Sequence, residues 1–235
     1  MKPKVLFISA LIGCISILLP QASQSAEQST YPEVGLAKDV IYFVMPDRYL
    51  NGDASNDLAR GTTQDPTGGF NPSSTAFFHG GDLKGLTGTC EKGDKGLARI
   101  KDLGFTAVWL TPLVGQQQAK SGGAGYHGYW GVDFLNVDPH LGTNEDLSAL
   151  SACAKKLGLK LILDVVTNHT GDVIQYMDKT ASIPAGKESA KNPSWLNDLS
   201  NYHNVGDTNS CWGEGSCMVL GDFYGLDDIA TEKPV

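Results

Sequence analysis

The sequence predicts an α/β fold in which parallel strands alternate with helices. Three short runs of β-branched and aliphatic residues are typical of buried strands, and the segments between consecutive runs are long enough for a crossover helix. Residues that favour helix starts and stops also stand where such helices would begin and end. On these grounds an open wound sheet and a closed barrel both fit.

The first strand is predicted at 40–45, where the chain reads Val-Ile-Tyr-Phe-Val-Met. A polar loop rich in Asn, Asp and Gly then covers 51–81. A helix is predicted over 95–103, with Gly104 as its stop. Its apolar residues recur at helical spacing: Leu97, Ile100 and Leu103.

The second strand is predicted at 106–110 and stops at Pro112. After a Gly-rich loop, Thr143 or Asn144 can cap a helix that ends at Gly158. The third strand follows at 160–166.

From residue 170 to residue 235 the chain is rich in Asn, Asp, Gly, Ser and Trp and shows no clear helix. This stretch far exceeds the usual loop of about 4–6 residues. We therefore expect a small irregular subdomain at the carboxyl end of the third strand. No fourth strand follows, whereas an eight-stranded barrel needs roughly 250 residues, so we interpret the sequence as the front part of a larger protein.

Residues 1–26 have the layout of a secretory signal, with two lysines, an apolar run at 5–19 and then Pro20 before small polar residues. This predicts a signal peptide and a secreted or periplasmic protein. A short membrane anchor is one alternative, although a spanning helix needs about 20 apolar residues. Lipidation at Cys14 is another.

The composition indicates a globular protein. Hydrophobic residues make up 41% and charged residues 19% of the chain, which is neither disordered nor fibrous composition. The formal charge is −8, from 26 acidic and 18 basic residues, and no Lys/Arg-rich block occurs. Binding to nucleic acid is therefore not expected.

Four cysteines remain beyond the signal segment: Cys90, Cys153, Cys211 and Cys217. An even number in an exported protein predicts two disulfides, with three possible pairings. The short separation favours Cys211–Cys217 and leaves Cys90–Cys153. Metal ligation by these thiolates is less favoured because no C-x-x-C pair occurs.

Chemistry is expected at the carboxyl ends of the parallel strands, where such folds bind ligands. The third strand leads into Asp164, Asn168 and His169, and the loop after the second strand carries an aromatic run at 126–130. Aromatic rings can stack on a sugar while imidazole and amide groups bond its hydroxyls. The two motifs together favour a carbohydrate site.

These motifs carry a resemblance to a known family. The segments 164–169 (Asp-Val-Val-Thr-Asn-His), 126–130 (Tyr-His-Gly-Tyr-Trp) and 39–48 resemble those of the alpha-amylase family, glycoside hydrolase family 13, in the same order and spacing. The loop 51–57 with 80–82 most resembles bacterial cyclodextrin glucanotransferases and maltogenic amylases. The resemblance runs from about residue 39 to residue 228.

The resemblance implies the N-terminal portion of a (β/α)8 TIM barrel, about three strands, with an irregular B domain inserted after the third strand. Residues 27–169 would then hold the first three β/α units and residues 170–235 the domain B-like excursion. The family cleaves α-1,4-glucosidic bonds with retention, using an aspartate nucleophile and a glutamate acid/base. Those residues follow the fourth and fifth strands, so no catalytic residue is expected in this chain.

The resemblance also implies roles at the cleavage subsite. His127 and His169 would bond sugar hydroxyls, Tyr129 would stack on the sugar ring, and Trp130 would belong to the same aromatic rim. Asp164 would be structural, pairing with an arginine of the fourth-strand motif.

Calcium is the expected cofactor. Asn51, Asp53, Asn56 and Asp57 offer hard oxygen ligands within one short loop, and Ca²⁺ takes 6–8 oxygens. By resemblance, the Gly80 carbonyl and Asp82 would complete the shell, and a second calcium would be bound between the third strand and domain B through the Asn168 side chain and Asp228. The alternative for the loop is a hydrated turn rich in Asn and Asp.

We therefore expect the front part of a secreted retaining glycosidase that acts on α-1,4-glucans such as starch and maltooligosaccharides. After processing it would have no membrane partner. One alternative is a transglycosylase of the cyclodextrin glucanotransferase type. Another is a truncated, non-catalytic copy that binds only glucan or calcium.

Overall fold

The computed structural model describes residues 35–177, 180–182, 191–208 and 215–233. The chain divides into two units, Met1–Lys38 and Asp39–Val235. The described residues of the first unit form the single 3-10 turn Leu36–Lys38, and the predicted signal segment, with Cys14, lies outside the described residues. Within the described ranges no helix combines the length and apolar composition that crossing a membrane would need.

The second unit is built from short strands and helices. Its strands are β1 (Ile41–Val44), β2 (Ala107–Leu110), β3 (Val114–Gln116), β4 (Gly131–Val137), β5 (Lys160–Leu163), β6 (Gln175–Met177) and β7 (Thr180–Ser182). Its α-helices are α1 (Leu83–Thr87), α2 (Leu97–Asp102), α3 (Asn144–Leu157) and α4 (Gly215–Leu220). Short 3-10 helices lie at Pro46–Arg48, Ser194–Asn197 and Leu199–Asn201.

A parallel sheet of three strands forms the centre of this unit, in the order β1-β2-β5. Tyr42 pairs with Val108, and Val108 pairs in turn with Leu161. These are the three predicted strands. The third ends at Leu163, earlier than the predicted residue 166, so the whole segment 164–169 lies in the loop at the carboxyl edge.

The two faces of the sheet differ. One is covered by α1, α2 and α3, whose apolar residues join those of the strands in a core cluster that includes Val44, Leu83, Leu97, Ile100, Val108, Leu110 and Leu150. On the opposite face Phe43 and Trp109 pack edge to face at 5.4 Å, yet they remain 54% and 39% exposed. An apolar inner face of this kind is typical of barrel strands, since side chains from other strands fill a barrel interior.

Helix α3 begins and ends where the sequence predicts. The Thr143 hydroxyl accepts a hydrogen bond from the Asp146 amide at 3.2 Å, and the Asp146 carboxylate accepts one from the Thr143 amide at 2.9 Å. This reciprocal pair is a capping box. Gly158 follows the helix at φ 64°, in the left-handed region that favours glycine.

Three elements between the predicted strands were not expected from the sequence: α1, β3 and β4. Strands β3 and β4 form an antiparallel hairpin with shifts of register along its length, and α1 has only five residues. β3 has only three residues, so neither it nor α1 shows a clear period, and the irregular register of the hairpin disturbs the alternation by which a strand is recognised. The predicted helix at 95–103 is present but shorter, as α2.

A disulfide joins Cys90, in the loop after α1, to Cys153 of α3, across a sequence separation of 63. This is the pairing that the sequence analysis left for these two cysteines. Cys217 is disulfide-bonded as well. Its predicted partner Cys211 lies outside the described residues, so that pairing stays a prediction.

The excursion after β5 has more regular structure than expected, with the hairpin β6–β7 and the short helix α4. Asp227, near the end of the excursion, is hydrogen-bonded to residues at its start. The carboxylate accepts hydrogen bonds from the Thr170 hydroxyl and the Ile174 amide, both at 3.1 Å. It also forms a fully buried ion pair with Lys191 at 2.8 Å.

Candidate functional site

Four of the side chains singled out in the sequence meet at the carboxyl edge of the parallel sheet. The Tyr129 hydroxyl donates to Asp164 Oδ2 at 3.0 Å, and Trp109 Nε1 donates to the same oxygen at 3.2 Å. His169 Nε2 donates to the Tyr129 carbonyl oxygen at 3.1 Å. Together with His127, which contacts Tyr129, these residues form what we call the rim cluster: His127, Tyr129, Asp164 and His169.

His127 links the rim cluster to the neighbouring aromatic residues. Its Nδ1 accepts a hydrogen bond from the Tyr129 amide at 3.0 Å. Its ring stacks on that of Tyr129 at 5.8 Å and meets the edge of Trp130 at 4.9 Å. Because Nδ1 accepts a backbone N–H, a neutral His127 carries its proton on Nε2 and can donate it to a ligand oxygen.

Burial shifts the pKa values of two rim-cluster side chains, His127 and Tyr129. Burial lowers the pKa of His127, and the charge of Arg48 lowers it further; the Arg48 guanidinium lies 4.0 Å from the ring centre of the adjacent Tyr126. Burial raises the pKa of Tyr129, and its hydrogen bond to Asp164 acts in the same direction. Both side chains are therefore uncharged at neutral pH and available to a neutral sugar.

A buried glutamine that the sequence analysis missed positions the aromatic loop. Gln116 Nε2 donates to the Gly128 carbonyl at 3.0 Å, and Oε1 accepts from the Trp130 amide at 2.7 Å. Gly128 has φ 91°, and a Cβ there would lie 2.1 Å from the Pro112 carbonyl oxygen. The glutamine and the glycine thus fix the path of the loop that presents His127 and Tyr129.

The rim cluster is suited to binding and orienting a polyhydroxylated ring. It combines aromatic faces with imidazole and hydroxyl groups, the combination that recognises a sugar. Asp164 is its carboxylate, and that carboxylate is occupied by Tyr129 and Trp109. In this structure Asp164 thus binds two aromatic side chains, and its expected structural pairing with an arginine of the fourth-strand motif stays a prediction.

The six residues expected to hold calcium lie close together, and we call them the calcium loop: Asn51, Asp53, Asn56, Asp57, Gly80 and Asp82. Asn51 Nδ2 donates to Asp57 Oδ1 at 2.8 Å. A Cβ at Gly80 would lie 2.6 Å from Asp57 Oδ1 and 2.7 Å from Asn51 Nδ2. Only glycine allows the peptide at position 80 to approach these side chains so closely.

The atoms of the calcium loop fit an oxygen-seeking dication. Asn56 Oδ1 is buried and has no hydrogen-bond partner among the described residues. Burial raises the pKa of Asp57, and the charges of Asp82 and Asp53 add to the rise. A bound cation would satisfy the amide oxygen and offset the repulsion between the carboxylates.

Carboxylates alone do not make this site. Within the described ranges no three His, Cys, Asp or Glu side chains are grouped so that they could hold a metal ion. The calcium loop depends on amide and peptide oxygens as well, which Ca²⁺ accepts as ligands. Calcium, when bound there, would supply a positive charge that holds the loop oxygens in one arrangement.

Two carboxylates of this region organise the backbone. Asp82 accepts hydrogen bonds from the amides of Asp53 at 2.8 Å and Gly85 at 2.6 Å, so it caps α1 and closes the loop. Asp47, which the sequence analysis did not single out, accepts from the amides of His79 at 2.9 Å and Gly80 at 3.1 Å. Burial raises the pKa of the Asp47 carboxyl, and its hydrogen bonds hold the Gly80 peptide in place.

The residues expected at the second calcium site are in contact with each other. Asn168 Nδ2 donates to Asp228 Oδ1 at 3.1 Å, and Asp228 Oδ2 lies 2.5 Å from His203 Nδ1. Asn168 and Asp228 offer two oxygen-bearing side chains, fewer than the 6–8 oxygens that Ca²⁺ takes. The described residues bring this pair together without assembling a calcium shell.

Comparison with known proteins matches this chain to one family. The model of the alpha-amylase catalytic domain matches residues 43–206. An alpha-amylase of Streptomyces lividans is 39% identical over 214 residues, which cover 72% of this chain. A solved cyclomaltodextrin glucanotransferase with a three-domain ABC distribution is 32% identical over 83% of this chain, with a TM-score of 0.61. The alpha-amylase of Geobacillus thermoleovorans, solved in complex with acarbose, is 33% identical over 83% of this chain, with a TM-score of 0.52.

The chain spans only part of each of these proteins. It covers 22% of the Streptomyces lividans protein and 39% and 34% of the two solved chains.

Proposed function

This chain belongs to the alpha-amylase family, and its parallel sheet is part of a (β/α)8 barrel; we propose that it is the N-terminal part of a secreted retaining glycosidase acting on α-1,4-glucans. The observation that carries the proposal is the rim cluster at one edge of the sheet. Asp164 accepts from the Tyr129 hydroxyl, and His169 donates to the Tyr129 carbonyl. Gln116 fixes the backbone of the loop that carries His127. Starch and maltooligosaccharides are the proposed substrates.

The proposed part of these residues is to bind and orient the sugar at the cleavage subsite. Tyr129 stacks on the ring, while the imidazoles of His127 and His169 bond its hydroxyls. The carboxylate pair that retention requires comes from the fourth and fifth strands. The 235-residue chain alone is accordingly proposed to be inactive, and starch hydrolysis by the purified chain would contradict this.

Kinetics of the full-length protein on a short maltooligosaccharide test the subsite. Contacts that strengthen in the transition state lower kcat and kcat/KM together when they are removed, whereas plain affinity contacts raise KM alone. We expect Tyr129→Ala and His169→Ala each to lose about 2–4 kcal/mol of transition-state stabilisation. Tyr129→Phe is the matched control because it keeps the stacking ring and loses only the hydroxyl.

Retained folding is checked by circular dichroism. If both alanine variants keep kcat within a factor of about three while KM rises, the residues are affinity contacts remote from the cleavage subsite.

A transglycosylase of the cyclodextrin glucanotransferase type is the second candidate, supported by the likeness to a solved enzyme of that kind. The two candidates share the rim cluster and differ in the molecule that accepts the cleaved glycosyl group, which is water for the hydrolase and a sugar hydroxyl for the transferase. Cyclic products from starch would favour the transferase, and linear oligosaccharides the hydrolase. A folded full-length protein that binds glucan but yields neither product would favour the non-catalytic alternative.

We also propose that the calcium loop binds Ca²⁺ and stabilises the native state. A ligand that binds only the native state adds about 2.7 kcal/mol at a hundredfold excess over Kd. Chelation is therefore expected to lower the Tm of the full-length protein. Asp57→Ala should blunt that response, whereas Asp65→Ala, at a half-buried position outside the calcium loop, should not. A Tm that is indifferent to chelator would contradict the proposal.

Secretion is proposed from residues 1–26 and agrees with the disulfide between Cys90 and Cys153, since such bonds persist in oxidising compartments. Sequencing the N-terminus of the exported protein tests this. A mature protein that still begins at Met1, or one with a lipid on Cys14, would contradict cleavage near residue 26.

A further inference from the structure

The calcium loop has a cation of its own in this structure. Lys84 Nζ lies 2.5 Å from Asp53 Oδ2, and the two side chains are 51% and 24% exposed. The other oxygen of Asp53 accepts hydrogen bonds from the amide of Ser55 at 3.1 Å and from its hydroxyl at 2.5 Å. Both carboxylate oxygens of this expected calcium ligand are therefore engaged.

The fold places Lys84 beside the loop. Lys84 is the second residue of α1, two positions after the Asp82 cap. The backbone of α1 packs against that of the loop, because a Cβ at Gly52 would lie only 2.2 Å from the Gly85 amide nitrogen and 2.7 Å from the Lys84 carbonyl carbon. With the two backbones in contact, the lysine side chain reaches Asp53 without leaving its helix.

The charges in this region explain why a cation belongs there. Three carboxylates, those of Asp53, Asp57 and Asp82, lie within one loop and its helix cap. The Lys84 ammonium lies 2.5 Å from one of these carboxylates, that of Asp53. The ammonium thus neutralises part of a charge that calcium would otherwise have to offset.

We propose that Lys84 is a resident counter-cation of the calcium loop, which pairs with Asp53 in the absence of calcium and competes with calcium for that carboxylate. The inference rests on the proposed calcium site. When calcium binds, the ammonium must give up Asp53, and like charges repel if it stays near. Lys84 therefore weakens calcium affinity and, in exchange, stabilises the calcium-free loop.

Calcium titration of the full-length protein tests this inference, with Lys84→Met as the main variant because Met keeps much of the aliphatic stem and removes the charge. Removal of one unit charge close to a dication in a high-dielectric setting is expected to lower the calcium Kd roughly three- to tenfold. In chelator, the same variant should have a lower Tm than the wild type, so the rise in Tm on adding calcium becomes larger.

Two further variants separate the effect of the Lys84 charge from the effect of changing the side chain and from that of removing any exposed lysine. Lys84→Arg keeps the positive charge and should bind calcium with nearly the wild-type Kd. Lys156→Met removes a comparably exposed lysine whose ion pair, to Glu91 at 2.7 Å, involves no residue of the calcium loop, and its Kd should not change. Because the pair is exposed, the difference between Lys84→Met and wild type should shrink as salt is raised.

The outcomes distinguish this inference from the calcium proposal itself. A Lys84→Met protein that binds calcium with the wild-type Kd, or more weakly, overturns the role of Lys84 and leaves the site intact. Titrations that detect no calcium binding by the wild type and by Lys84→Met overturn the site and the inference together.

Discussion

At the scale of single residues, the rim cluster depends on an uncharged His127. Its Nδ1 accepts the Tyr129 amide, and an imidazole that gains a proton there loses this acceptor. Burial and the charge of Arg48 lower the pKa of His127 below its ordinary value of 6.5. Protonation of this residue therefore opposes folding as well as the presentation of Tyr129.

The sign of the resulting pH dependence follows from proton binding. Well above pH 6.5, the ordinary pKa of the imidazole, His127 is neutral in the folded and unfolded states, so it contributes no pH dependence to stability. As the pH falls below that value, the unfolded chain binds a proton that the folded chain resists, so stability decreases until the folded pKa is passed. Acidification from pH 7.5 to about 5 is thus expected to destabilise the protein.

Denaturant unfolding at the two pH values measures this effect. His127→Asn keeps an acceptor near the Nδ1 position and cannot titrate, so it should lose less stability on acidification than the wild type. Equal losses in the two proteins would show that His127 does not carry the effect.

At the scale of elements, helix α3 is defined at both ends by local chemistry. The capping box of Thr143 and Asp146 satisfies amides that have no partner within the helix. Gly158 ends the helix in a conformation that other residues rarely adopt. Between these ends Cys153 attaches α3 to the loop after α1, and Leu150 lies fully buried in the core.

Loss of the cap is expected to destabilise the protein. Thr143→Ala removes the hydroxyl that accepts from the Asp146 amide and should cost about 1 kcal/mol of unfolding free energy. Ser148→Ala is the matched control on the same helix. Its exposed hydroxyl donates only to the Asn144 carbonyl, and alanine has the higher helix propensity. A Thr143→Ala protein no less stable than Ser148→Ala would refute the cap.

At the scale of the whole molecule, the second unit is held together by contacts between distant segments. Asp227 joins the loop after β5 to the end of the excursion, and Lys191 comes from a third segment between them. The Lys191 ammonium also lies 4.2 Å from the ring centre of Tyr202. Burial raises the pKa of Asp227 and lowers that of Lys191, so each charge depends on the other.

Removal of one partner from this ion pair is expected to be far more costly than removal of both charges. Lys191→Met leaves a buried, uncompensated carboxylate and should cost about 3–5 kcal/mol. The double variant Lys191→Met/Asp227→Asn leaves no net charge and keeps an acceptor for the Ile174 amide, so it should regain part of that loss. Denaturant unfolding of the wild type, the two single variants and the double variant measures the coupling free energy between Lys191 and Asp227. Strictly additive losses would contradict a coupled pair.

The sequence by itself determined the three parallel strands, the limits of α3 and the candidate residues at the carboxyl edge, and the fold class predicted from them is confirmed. Strand composition, helical spacing and caps are local properties, and they act on residues only a few positions apart. The site residues could be named because short motifs resemble those of one family. The aromatic run and the segment 164–169 do lie together at the edge where parallel strands end.

Only the tertiary structure decided which residues position that site. Gln116 contacts the aromatic loop, Asp47 holds the Gly80 peptide, and Lys84 reaches Asp53. None of the three residues stands out in sequence, because each acts on a segment 12 or more positions away and carries no local periodicity. Lys191 is the clearest example of a residue whose role the sequence does not reveal. A lysine is expected at the surface, and only the fold shows that this ammonium is buried 2.8 Å from the Asp227 carboxylate. Long-range polar contacts of this kind depend on how the segments pack, so their partners become visible only once the chain is folded.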